Sequence, residues 1–357
     1  MKKVFLSLFI IAPLLLAASI FLLPDASFSP DENRMLKTAA DIRGDVLSGD
    51  FQTDLEKYLS DQFPMRAALK SAENTVRTAL GANELGGAYV GNGGRLFQKL
   101  TDEEIDKAAI IRFAERVESF AKESGVPVYA MPVPSAGAAL DGELPYGAPF
   151  YDFDELLHEL SAAMPSVKTI NLKKSLGASA DNYYLTDHHW TFDGVLAAYL
   201  EWKSAHGEGQ NTSGGETITV EVLTLCENFH GTLYSKALLP QTPFDAIKTL
   251  AVRGNINVTE DGAEVSFYDL SALDGKDKYN VFQGGNHGVV TIENPAATKE
   301  RTLVIIKDSF ANSFVPMLVG DFSKIVMLDD RYMLGDALTL TASYAPDEVL
   351  VLKEIVN

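Results

Sequence analysis

Residues 302–313 read Thr302-Leu303-Val304-Ile305-Ile306-Lys307-Asp308-Ser309-Phe310-Ala311-Asn312-Ser313. The apolar, largely β-branched run predicts a buried strand over 302–306. It passes through a short turn into a helix predicted over 311–319. A strand that feeds a helix this abruptly is the building unit of a parallel α/β sheet. The turn also sets Ser309 at the first turn of that helix, where unpaired backbone N–H groups favour developing negative charge. A nucleophile at that place has oxyanion-stabilising groups beside it. Serine is equally one of the best helix caps, so this stretch alone leaves both roles open. Ser313, one turn further on, reads as packing.

The same alternation extends outward in both directions. Upstream, Thr101 and Glu104 form a capping-box pattern that predicts a helix to Ser124, stopped by Gly125;. A strand over 126–131, a helix over 153–163 and a strand over 167–172 follow. Thr191 is placed to cap a helix over 192–205, ended by Gly207. Downstream, strands over 324–328 and 348–352 flank a helix near 333–343. The pattern predicts a doubly wound parallel sheet. Between 208 and 295 the texture changes to a Gly-, Asn- and Thr-rich β-rich excursion, with short strands at 217–222, 249–253, 264–268 and 289–292 and a strand-like 278–282.

The beginning of the chain has a different character. Lys2 and Lys3 precede an uncharged run over 4–23, long enough to span about 30 Å at about 1.5 Å per residue. Residues 1–23 are therefore expected to be a signal-anchor or a signal peptide, with the positive flank in the cytoplasm and the rest of the chain outside it. Residues 24–50 are polar and read as a tether. Residues 51–80 carry helical spacing (Phe51, Leu55, Tyr58, Leu59, Phe63) broken by Pro64, which predicts two helices. Residues 81–94 are glycine-rich, with a short strand near 88–90. One domain is expected over 51–357.

Composition excludes some classes of function. The 357 residues are 46% hydrophobic and 22% charged, which is ordinary globular composition;. The net charge of −19 comes with no lysine or arginine cluster, so the chain lacks the basic footprint of a nucleic-acid binder;. An anionic polymer would need a local cationic site. The single cysteine, Cys226, makes an internal disulfide or a cysteine-based metal site impossible;. No cofactor is implied.

The second chemical feature is Tyr183-Tyr184-Leu185-Thr186-Asp187-His188-His189-Trp190-Thr191. In extended backbone Asp187 and His189 share a side and His188 points the other way. A carboxylate beside an imidazole fixes its tautomer and stabilises the imidazolium. A serine needs a base and the base needs an orienter, and Ser309, His189 and Asp187 supply one of each. The third feature, Gly284-Gly285-Asn286-His287-Gly288, offers glycine backbone that a ligand can approach. Asn286, Gly285, His188 and His287 are candidates for oxyanion or substrate binding, while a plain glycine turn with a capping asparagine fits the same run. Arg331, between Asp330 and Tyr332, is a candidate anion contact or a partner in a structural ion pair.

Together the Asp-His-His-Trp run, the Lys-Asp-Ser-Phe-Ala-Asn-Ser turn, Gly231-Thr232-Leu233-Tyr234-Ser235-Lys236, the Gly-Gly-Asn-His run and the early Asp-Glu-Asn-Arg resemble the DHHW protein family. That family is similar to the SGNH-hydrolase-like alginate O-acetylation proteins AlgX and AlgJ. The resemblance covers most of residues 30–357. It implies an SGNH-like fold with permuted motif order, the serine following the Asp–His pair, with Asp187 as acid, His189 as base and Ser309 as nucleophile. It also implies acetyl transfer to, or removal from, cell-envelope polysaccharide, with a membrane-bound O-acyltransferase as a partner. The family has proline after its Gly-Gly-Asn-His run where this chain has Gly288, which predicts a looser turn.

Two other classes compete. Asp187, His188, His189 and His287 are ligands of the type zinc takes, but adjacent histidines in a strand diverge, so no metal is expected. The other is a non-catalytic glycan-binding or scaffold protein of an envelope O-acylation complex.

Overall fold

The computed structural model describes residues 11, 15, 16, 18–207, 221–252, 254–297 and 300–356. The chain divides into two compact units, Met1–Gly86 with Tyr234–Gln241, and Gly87–Leu233 with Thr242–Asn357.

In the first unit, β1 (Phe28–Ser29) pairs antiparallel with β2 (Arg34–Met35), and α1 (Asp50–Asp61) and α2 (Arg66–Ala79) follow. Pro64 separates the helices as expected. The polar segment ahead of α1 is folded onto it. Arg34 forks onto Asp61 at 2.6 and 3.1 Å, and the Gln62 amide donates to the carbonyls of Ala26 and Lys37 at 2.9 Å. Helix α2 turns its apolar side outward. Asn74 is buried and donates to the Ala237 carbonyl at 2.7 Å, while Met65, Leu69, Val76 and Leu80 are exposed. Residues 4–10, 12–14 and 17 of the apolar N-terminal run lie outside the described residues. Among the described residues no helix is long and apolar enough to cross a membrane.

The second unit holds the sheet. Its elements are β3 (Ala88–Val90), β4 (Leu96–Gln98), α3 (Lys107–Ser124), β5 (Val128–Val133), α4 (Phe153–Ala163), β6 (Lys168–Thr169) and α5 (Phe192–Ala205). Then come β7 (Val222–Phe229), α6 (Thr232–Ala237, of which the part from Tyr234 on belongs to the first unit), β8 (Asp245–Leu250), β9 (Asn257–Glu260), β10 (Ala263–Val265) and β11 (Val289–Glu293). The chain closes with β12 (Thr302–Lys307), α7 (Phe310–Phe314), β13 (Lys324–Leu328), α8 (Ala337–Thr341) and β14 (Glu348–Glu354). The eight-stranded sheet runs β10-β9-β11-β13-β12-β14-β5-β6. From β13 to β6 the pairing is parallel, with Val304 opposite both Val326 and Val349.

A wholly parallel sheet is thus corrected to a mixed one. Strands β9, β10 and β11, from the β-rich segment, extend it antiparallel beyond β13. Asp261 and Gly262 join β9 to β10, and a two-residue link permits only antiparallel pairing of those two strands;. Both faces of β12 are covered. Leu303 and Ile305 pack with Val195, Ala198, Phe310 and Phe314, whereas Val304 and Ile306 pack with Ala114, Val117, Leu156 and Leu160. Burial on both sides is why this strand reads as a continuous apolar run.

Several predicted elements shift. Thr101 and Glu104 do bond (2.9 and 3.2 Å), but they close a turn, and α3 begins at Lys107 behind the Asp106 cap. The strand expected over 167–172 shrinks to Lys168–Thr169. The helix expected over 311–319 is α7 followed by a 3-10 turn, Val315–Met317. The strand-like 278–282 is a 3-10 turn, Lys278–Val281. Most of the strand expected at 217–222 lies outside the described residues.

Candidate active site

Ser309 sits where β12 ends, at the entry to α7. Its backbone is already helical (φ −66°, ψ −19°) and its hydroxyl caps nothing. Asp308 takes that task, its carboxylate accepting from the Phe310 N–H at 2.9 Å and the Glu354 N–H at 2.7 Å. The turn is thereby tied to β14 and the Ser309 hydroxyl is left for other chemistry.

The Asp-His-His-Trp run reaches it from a loop closed by an antiparallel bridge between Tyr183 and Trp190. Asp245 holds the loop, accepting from the N–H groups of Leu185 (2.8 Å) and Thr186 (2.9 Å). Asp187 Oδ1 lies 2.6 Å from His189 Nδ1, and His189 Nε2 lies 2.7 Å from Ser309 Oγ. The carboxylate only accepts, so His189 carries its proton on Nδ1 and presents Nε2 as the acceptor for the serine proton. Asp187 and His189 are buried and Ser309 is half-buried. The His189 ring stacks on Tyr279, centroids 3.9 Å apart and planes within 9°. Ser313 is packing: its hydroxyl accepts from Trp190 Nε1 (2.8 Å) and Tyr279 Oη (2.9 Å).

The motif Gly231-Thr232 has a role that its sequence did not announce. Asp187 Oδ2 accepts from the Thr232 N–H at 2.8 Å and the Thr232 hydroxyl at 3.0 Å. Gly231 is needed because a Cβ there would lie 2.3 Å from the Asp187 side chain. Burial pushes the Asp187 carboxyl up, but the imidazoles of His188 and His189 and the donors from His189 and Thr232 outweigh it and hold the group well below its ordinary value;.

His188 does not diverge from His189 as extended backbone would require. The loop curves, and the two rings lie 3.9 Å apart. His188 Nδ1 is 2.9 Å from Thr232 Oγ1. Asp187, His188 and His189 therefore bring ligand-type atoms within 4.8 Å of one another. The set does not fit a resident ion: the two oxygens of Asp187 already accept from four N–H and O–H donors, and a metal would have to displace them.

The glycine turn packs against the nucleophile turn. Gln283, Gly284 and Gly285 are all left-handed (φ 50°, 61° and 113°), which turns the Gly285 carbonyl to accept from Asn312 Nδ2 at 3.0 Å. Asn286 Oδ1 accepts from Lys307 Nζ at 3.1 Å and Asn312 Nδ2 at 3.3 Å. His287 is drawn instead to Glu260 (3.3 Å) and Asp261 (3.6 Å). Arg331 forks onto buried Asp329 at 2.8 and 2.7 Å. Gly288 is not a loose point: a Cβ there would lie 2.9 Å from Tyr332 O and from Met333 Cβ. A cavity of about 410 Å³ opens beside the turn, lined by Glu260, Ser266, Tyr268, Asp269, Leu270 and Gly284. Burial pushes the Glu260 carboxyl up, His287 pulls it down, and Asp269 and Asp261 add to the rise.

Fold and site together define an α/β protein with a mixed central sheet and an Asp–His–Ser hydrogen-bond chain at the carboxyl end of a parallel strand, where such sheets place their sites. The resemblance to the DHHW family holds: the model of that family, described as "DHHW protein", matches residues 170–328. Among solved structures, a DHHW family protein from Eubacterium siraeum is similar at 23% identity, over 77% of this chain and 93% of that one, with a TM-score of 0.63. Bacillus cereus PatB1, in a structure with a sulfonyl adduct, is similar at 22% identity over 74% and 92%, TM-score 0.59. The O-acetyltransferase domain of Pseudomonas putida AlgJ follows at 14% identity over 75% and 91%, TM-score 0.47. No curated protein matches the chain.

Proposed function

We propose that this chain is an exported, SGNH-like, serine-dependent O-acyltransferase of cell-envelope polysaccharide. The carrying observation is the unbroken chain from Asp187 through His189 Nε2 to Ser309 Oγ, with links of 2.6 and 2.7 Å. Ser309 Oγ attacks an acyl carbonyl as its proton passes to His189. The bond to the donor's leaving group then breaks, and that group departs with the proton. A sugar hydroxyl next gives its proton to His189 and attacks the acyl-serine, and Ser309 recovers the proton. Asp187 orients the imidazole and stabilises its charged form. Asn286 is assigned to the oxyanion. The acetyl group, the glycan acceptor, the N-terminal membrane anchor and a membrane-bound O-acyltransferase as donor partner rest on the family resemblance and on the apolar run over 4–23.

The test is incubation of the full-length protein with a chromogenic acetyl ester, beside Ser309→Ala. Wild type should release a product burst and gain an acetyl mass increment, and the variant should do neither while keeping its melting temperature. A sulfonyl fluoride should block the burst by modifying Ser309. Acylation that persists in Ser309→Ala would remove this assignment. A folded wild type that binds glycan and never acylates would leave the non-catalytic scaffold in its place.

A further inference from the structure

The residue two positions before the nucleophile is a fully buried lysine. Lys307 Nζ reaches Asn312 Oδ1 at 2.9 Å, Asn286 Oδ1 at 3.1 Å and Asp329 Oδ2 at 3.4 Å. An ammonium has three donors and no acceptor, and these oxygens use all three. That accounting fixes the orientation of two amides. If either were flipped, its NH2 would face the ammonium, donor against donor. Asn312 must therefore turn its NH2 away, and it donates to the Gly285 carbonyl (3.0 Å) and Asn286 Oδ1 (3.3 Å). Asn286 Oδ1 then has both lone pairs filled from within, and its two N–H donors face away from Lys307.

We infer that Lys307 is a positioning residue that, with Asn312, orders Asn286 so that its amide N–H groups donate to the oxyanion formed when Ser309 is acylated. The inference rests on the acyl-transfer role of Ser309 given above. The charged neighbours of Lys307 are Asp329, Asp308 and Arg331, with Glu260 across the glycine turn. Burial pulls its pKa down to about 8, with Asp329 and Asp308 opposing the fall and Arg331 adding to it. At neutral pH it is mostly the donor-only ammonium. Above about pH 8 it becomes an amine that can also accept, and the enforced orientation is lost.

The test is a double-mutant cycle on the full-length protein, reading kcat and KM for a chromogenic acetyl ester across pH 6–10. Asn286→Ala should lower kcat about 10²-fold, the loss expected for one oxyanion donor. Lys307→Met should lower kcat about 10-fold or more with KM little changed, and should add nothing in the Asn286→Ala background. Wild-type kcat should fall above about pH 8, and that limb should be missing in Lys307→Met. Stability moves oppositely. The unfolded lysine, at its ordinary 10.5, binds a proton that the native one has lost, so between 8 and 10.5 the wild type should gain stability relative to Lys307→Met;. Should Lys307→Met not fold, Asn312→Ala, which removes the second prop of the same amide, carries the same cycle. Additive losses, or an unchanged rate in Lys307→Met, would overturn the inference while Ser309 acylation stands. A wild type that forms no acyl-serine would overturn both.

Discussion

At the residue scale, the chemistry depends on contacts between segments far apart in the chain. Asp187 is held by Thr232 and crowded by Gly231, 45 and 44 positions away, and nothing local in either segment announces that meeting. Asp187 and His189 are legible as a pair because they stand two positions apart, and Ser309, 120 positions further on, because it falls where an apolar strand turns into a helix. Gly231 and Thr232 were legible only as letters of a family pattern. Lys307 carries no such signal, because a lysine at a strand's end ordinarily faces water, whereas here its side chain is fully buried;. Gly231→Ala puts a methyl where the Asp187 carboxylate stands. It should cost about 1–3 kcal/mol in urea unfolding, as overpacking does, and lower the rate of Ser309 acylation by at least about 10²-fold, since a displacement near 1 Å at a reacting centre has that effect. Unchanged acylation would show that Asp187 is not held through this contact.

At the element scale, the helices with strong local punctuation came out where their caps lie. The helix behind Asp152 runs Phe153–Ala163 and the helix behind Thr191 runs Phe192–Ala205. The same signal misplaced the start of α3, because a Thr–Glu pair closes a lone turn with the contacts that open a helix;. His188 was misdirected for a similar reason: the period of two holds for a strand, and residues 185–189 curve between the bridged Tyr183 and Trp190. Helix α2 tests the usual meaning of an apolar stripe. Its Val76 and Leu69 face out and its Asn74 faces in. Val76→Lys should therefore change unfolding free energy by less than about 0.5 kcal/mol, whereas Asn74→Ala, which strands the Ala237 carbonyl, should cost about 1–3 kcal/mol. Denaturant titration of the two variants decides it, and the reverse ranking would mean that the stripe is covered in solution.

At the scale of the whole molecule, charge bears on which acceptor the proposed transfer would favour. The chain carries −19 overall, and the cavity beside the glycine turn is lined by Glu260 and Asp269. Lys307, which reaches Asn286 in that turn, and Arg331 are both paired with Asp329. Burial and the charge of Asp187 push the Asp277 carboxyl up, with His189 opposing, so further acidity lies close to the histidine. Such a field repels a polyanion over roughly a Debye length, about 10 Å at 0.1 M salt, and hardly acts on an uncharged glycan. The net charge was legible in the sequence. Its gathering beside the glycine turn was not, because Glu260 and Asp269 come together with that turn only once β9 has paired with β11. A neutral oligosaccharide should therefore accept the acyl group faster than a uronate oligomer of equal length. Raising salt from about 0.05 to 0.3 M, which shortens the Debye length, should speed transfer to the uronate and leave the neutral acceptor nearly unaffected. Acyl transfer to the two acceptors, measured by mass spectrometry across that salt range, gives the answer. A uronate that is preferred at low salt and weakens as salt rises would mean that a cationic surface guides the acceptor, and the acidic cavity would then lie off its path.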